Sequence, residues 1–104
     1  MRKKHIEEML KDSPKDSFLH FALAKELEKE KNLEEAVNEY EWIVDNDPEY
    51  VGVYYHLAHL AIDLEKDTTY IEKVFNEGIT IAQSQNDLHA KAELQNAKLN
   101  WEIS

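Results

Sequence analysis

Apolar residues in this chain recur at helical spacing, and short polar runs interrupt them at regular intervals. Leu33, Ala36, Val37, Tyr40, Ile43 and Val44 advance by i, i+3, i+4, i+7 and so fall on one stripe of a helix. Ile71, Val74, Phe75, Gly78, Ile81 and Ala82 repeat those steps, and Ala90, Leu94, Ala97 and Trp101 trace a further single-faced stripe. Pro14 and Asp47-Pro48 read as breaks, while Asn32, Asp67-Thr68 and Asn86-Asp87 read as turn or cap signals. The pattern predicts an all-α chain of about six helices.

The stripes also repeat along the chain. An offset of 34 residues sets Ile6 on Tyr40, Met9 on Ile43, Leu10 on Val44, and Asp12-Ser13-Pro14 on Asn46-Asp47-Pro48. The same offset pairs Phe21 with Tyr55, Leu23 with Leu57 and Ala24 with Ala58. Beyond residue 68 the offset becomes 38, so four extra residues lie between Ala61 and Ile71. Because four residues approximate one helical turn, the expectation is that the helix before the insertion is longer by a turn and carries Leu64 along its inner face. A fixed period of this size marks an array in which each helix pair buries its apolar face against the next.

Helix, turn, helix and closing proline at this period resemble the tetratricopeptide repeat, whose signature runs Trp, Leu-Gly, Tyr, Ala, Phe, Pro. In residues 17–50 the corresponding positions are His20, Leu23-Ala24, Leu27, Ala36, Tyr40 and Pro48, so histidine stands where the signature has tryptophan. In residues 51–86 they are Tyr54, Leu57-Ala58, Ala61, Val74 and Gly78, and Asn86-Asp87 replaces the proline. The resemblance implies one domain over 1–104, a right-handed superhelix of antiparallel helix pairs. Its parts would be a half-repeat helix at 3–12, repeats at 17–50 and 51–86, and a capping helix at 87–102. It further implies a non-catalytic scaffold whose first helices line a concave groove for a peptide or helix of a partner protein. By position the groove residues would be Phe18, Phe21, Lys25 and Glu28 in the first repeat, and Gly52, Tyr55, His59, Ile62 and Asp63 in the second. Phe18 and Phe21 have an alternative place, packed under the N-terminal helix. Some members of this family clamp a carboxylate terminus with lysine, arginine and asparagine. Here Lys25 is accompanied by Tyr55 and His59, and Arg2 is the only arginine, so that clamp is not expected.

Composition narrows the partner. The 104 residues carry a formal charge of -10, and two glycines and two prolines leave little material for sheet turns or phosphate-cradling loops. Between residues 28 and 50, nine acids face only Lys29 and Lys31. Such a surface repels phosphate backbones, so nucleic acid and anionic membranes are excluded in favour of a neutral or basic protein or peptide. No cysteine is present, which removes disulfides and thiol chemistry. The start MRKKHIEEML lacks the apolar core of a signal peptide, and no window reaches the about 18 apolar residues of a membrane span; a cytoplasmic protein is expected.

Little in the chain suggests catalysis, and no cofactor is expected. Ser13, Ser17, Ser84 and Ser104 sit at caps, turns or the end, without the strand-turn-helix context of a nucleophile elbow. Glu34 and Glu35 point about 100° apart on a helix and cannot face one substrate. His56, His59 and Asp63 fall on neighbouring turns of one helix and form the one metal-like constellation, an alternative to a groove role. A further alternative is self-association, in which the half repeat joins a second copy as a homodimer. Trp42 lies off its helix's stripe and either packs on an adjacent second helix or anchors another subunit. Gly78 either admits a bulky neighbour, Phe75 or Trp101, or marks a kink.

Overall fold

Each helix begins and ends where local chemistry satisfies its open backbone groups. The computed structural model describes residues 2–104 and places six helices among them: α1 (Arg2–Asp12), α2 (Ser17–Lys29), α3 (Leu33–Asn46), α4 (Gly52–Asp63), α5 (Thr68–Ser84) and α6 (Leu88–Ile103). The carboxylates of Asp16, Asp67 and Asp87 accept from the backbone N–H of Leu19, Thr69 and Ala90 at 3.2, 3.3 and 3.0 Å, opening α2, α5 and α6. Each such cap stabilises its helix by about 1 kcal/mol. Past the far ends of α2, α4 and α5, Lys31, Glu65 and Asn86 take φ of 66°, 54° and 57°. Behind them the N–H of Asn32, Lys66 and Asp87 donate back to the carbonyls of Leu27, Ala61 and Ala82, each at 2.9 Å. This closure satisfies carbonyls that a helix end otherwise leaves open.

The chain divides into two compact three-helix units, one ending at Tyr50 and the other spanning Val51–Ser104. In the first, α2 packs against both α1 and α3. Ile6, Leu23, Leu27, Val37, Tyr40 and Ile43 are buried there, with Ala24 and Ala36 allowing close helix approach. In the second, α5 packs against α4 and α6, and α4 also touches α6. Its interior holds Val53, Tyr54, Leu57, Leu60, Ile71, Val74, Phe75 and Leu94, with Ala58 and Ala61 wholly buried. No polar or charged residue is buried among the described residues.

Three details differ from, or complete, the sequence reading. The four-residue insertion does not lengthen α4, which stops at Asp63, 34 residues after the end of α2 at Lys29. Instead one residue enters the connection and α5 gains its extra length at the front, reaching 17 residues against 14 in α3. The reason is local: left-handed Glu65 closes α4, and the Asp67 cap starts α5 ahead of Ile71. Gly78 answers neither to Phe75 nor to Trp101, for a Cβ built on it would lie 2.6 Å from Tyr54 Cβ and 3.0 Å from Leu94 Cδ1. There α5 meets Tyr54 of α4 and Leu94 of α6 too closely for a side chain, and α5 continues through it as one helix.

Trp42 packs within its own unit, on a first helix rather than a second. Its ring stacks on His20 with centroids 3.7 Å apart and planes 19° off parallel. His20 is held in turn by Glu39 Oε1 at 2.6 Å from Nδ1 and by the Pro14 carbonyl at 2.8 Å from Nε2. Where the signature has tryptophan on the first helix, this chain therefore has histidine, and the large ring comes from α3. Among the described residues no helix is long and apolar enough to cross a membrane.

Candidate functional site

Residues at i, i+4, i+7 and i+8 share a helix face, and on α4 that set is Tyr55, His59, Ile62 and Asp63. These four sequence-expected residues form one wall of a cleft in the second unit, with a cavity of about 520 Å³. The opposite wall is α6, which contributes Glu93, Asn96, Ala97 and Asn100. Trp101 supplies aromatic surface between them and packs on Phe75 behind it, the ring centroids 5.9 Å apart and tilted by 35°. Phe75 is wholly buried, so this part of the cleft is anchored in the core of the unit. The rings of Tyr55 and His59 lie 4.7 Å apart, which stiffens that wall.

The cleft has a sign. Asp63 and Glu93 line it, and no lysine or arginine does. The arrangement offers aromatic surface for an apolar side chain, amides for hydrogen bonds and two carboxylates for a cation. Glu93, Asn96, Ala97, Asn100 and Ser104 advance by 3, 1, 3 and 4 and so form a stripe of their own beside Trp101. The apolar stripe of Ala90, Leu94, Ala97 and Trp101 marks one face of the last helix, and this polar stripe lies beside it. Its helical spacing next to a tryptophan was the available signal.

In the first unit the expected groove residues go to different places. Phe18 is exposed and lines an apolar hollow of about 320 Å³ with His5, Ile6 and Met9 of α1 and Leu19 and Ala22 of α2. Phe21 is half-buried, packing on Tyr40 at 5.7 Å and Tyr50 at 5.5 Å between centroids. Lys25 is half-buried on α2. Glu28 accepts a hydrogen bond from the hydroxyl of buried Tyr40. Burial first, then that bond and the charge of Glu28, push the Tyr40 ionisation far above the ordinary tyrosine value.

His56 does not join the cleft; its ring stands edge-on to Tyr55, 5.9 Å between centroids. Among the described residues no three of His, Asp and Glu are gathered as metal ligands, so the constellation of His56, His59 and Asp63 does not form a metal centre. The physical reason is that residues three apart diverge by about 60° on a helix, which sends His56 to one side of His59.

No family model matches the sequence, and no curated protein does. Solved structures do. The solution NMR structure of a tetratricopeptide repeat domain protein from Salinibacter ruber is similar at a TM-score of 0.78 and 38% identity, over 84% of this chain and 87% of that one. A crystal structure of a tetratricopeptide repeat domain protein from Salinibacter ruber gives the same TM-score and identity over 84% of this chain and 97% of its own.

Proposed function

The chain belongs to the tetratricopeptide repeat family, and from that premise we propose that it is a non-catalytic interaction module whose α4–α6 cleft receives a short segment of a partner protein. The observation that carries this reading is the cleft wall itself, in which Tyr55, His59, Ile62 and Asp63 converge with Phe75 and Trp101. Aromatic side chains in a concave site bury a large area at small conformational cost, which suits them to anchor an apolar side chain. Asp63 and Glu93, together with the chain's charge of -10, favour a segment of neutral or basic character.

Titration with a short amphipathic peptide bearing lysines, and with its lysine-to-glutamate counterpart, tests the reading. Amide shifts are expected along α4 and α6 for the basic peptide, weakening with salt. The Tyr55→Ala, His59→Ala double variant should abolish them. Asp63→Lys should weaken binding by about 1 kcal/mol, roughly fivefold in Kd. Shifts confined to residues 2–12, or equal affinity for the acidic peptide, would reject the cleft as the site.

A further inference from the structure

We propose that copies of this chain associate head to tail, with α6 of one seated in the hollow between α1 and α2 of the next. Two apolar surfaces stand open. In the hollow, Met9 is 38% and Phe18 66% exposed. On α6, Leu88, Leu99 and Ile103 are 70%, 54% and 73% exposed. With Ala92 these three form a stripe about 140° round the helix from buried Leu94, at about 100° per residue. Neither the core nor the α4–α6 cleft uses that stripe.

The chain contains the template for joining them. Asp16 caps α2 through Leu19, and Asp87 caps α6 through Ala90, so the same bond recurs 71 residues on and fixes the register between the two helices. In that register Phe21 and Glu28, which hold Tyr40 of α3, correspond to Ala92 and Leu99 of α6. The internal repeat of 34 residues maps Tyr40 and Ile43 of α3 onto Ile6 and Met9 of α1. So α6 presents the surface that receives a second helix, and α1 presents the surface that packs on a first one. The α2–α3 pair is the geometry the two would reproduce.

Charge agrees with that register. His20 and Trp42, stacked in the template, correspond to Lys91 on α6 and Glu8 on α1, an oppositely charged pair. The contact joins two different surfaces, so it is heterologous and adds copies in one direction unless it closes a ring.

Sedimentation of the 104-residue chain from micromolar to millimolar concentration is the test. The wild type is expected to grow in mass with concentration. Leu99→Asp and Met9→Asp, both at exposed positions, should each be monomeric with unchanged helicity. An equimolar mixture of the two should form a dimer, because each retains the surface the other lacks. If either variant loses helicity, Glu8→Lys and Lys91→Glu serve in its place: each weakens association, and the two mixed restore it. The Tyr55→Ala, His59→Ala variant should associate as the wild type does, which separates this contact from the peptide cleft. A wild type monomeric at every concentration overturns the proposal. So does a mixture that stays monomeric, since the two retained surfaces would then fail to pair, and so do single variants that associate as the wild type does.

Discussion

Replacing Gly78 by alanine sets two known effects against each other in the middle of α5. In an open helix the change would stabilise by about 1 kcal/mol, because glycine carries the larger backbone entropy. Here the new methyl would lie 2.6 Å from Cβ and 2.9 Å from Cγ of Tyr54, and 3.0 Å from Cδ1 of Leu94. Carbon atoms attract best at about 3.5–4.0 Å, so roughly 1 Å of separation is missing. Tyr54 Cβ is bonded directly to the α4 backbone, and no rotamer change moves it away. Tyr54 and Leu94 are each 1% exposed and have little free space to yield into. Overpacking of this kind costs about 1–3 kcal/mol, and an obstacle fixed to backbone belongs at the upper end. The net expectation is a loss of about 2 kcal/mol, a fall of about 10 °C in Tm for a domain of this size. Gly52→Ala is the control, because a Cβ there meets nothing within 4 Å. Both substitutions change unfolded-chain entropy alike, so their difference isolates packing. Urea unfolding followed by far-UV circular dichroism measures it. Should Gly78→Ala prove as stable as Gly52→Ala, the close approach of α4 and α5 is not a constraint and the reasoning fails.

Three further outcomes follow from the first unit and the helix ends. Tyr40 is wholly buried and donates to Glu28, so its ionisation lies above the ordinary value of 10.0. The unfolded chain then loses this proton first: the stabilisation is complete below pH 10 and declines as pH rises past it, by about 1.4 kcal/mol per pH unit. An absorbance titration should leave at least one of the five tyrosines, Tyr40, protonated until unfolding; reversible release of all five from a helical protein would contradict it. Glu65→Gly removes the strain of φ 54° without touching the core, and should stabilise by about 0.5–1 kcal/mol in chemical unfolding. His20→Ala takes away the stack on Trp42 and two hydrogen bonds, and should cost about 2 kcal/mol and alter tryptophan fluorescence, whereas an unchanged spectrum would place Trp42 elsewhere in solution.

Much of the architecture was legible because helical periodicity and caps are local properties. The stripes of Leu33 to Val44 and of Ile71 to Ala82 name buried faces directly, and Asp16, Asp67 and Asp87 act within three residues of themselves. The site was half legible. Tyr55, His59, Ile62 and Asp63 are neighbours on one helix and could be grouped from spacing alone, but Glu93, Asn96 and Asn100 reach them from a helix 30 to 45 residues on. The different surroundings of Phe18 and Phe21 were not legible for a related reason. Side chains three apart on α2 meet different neighbours, Phe18 facing α1 and Phe21 facing Tyr40 and Tyr50.

By itself the sequence determined six helices, their repeat and the acidic character, since each depends on residue type and spacing along one segment. Tertiary structure decided which atoms Gly78 makes room for and what faces Trp42. Those are questions of distance between segments remote in the chain, and a one-dimensional pattern carries no distances. The α6 wall of the cleft belongs to the same class, because the fold of Val51–Ser104 brings it opposite α4.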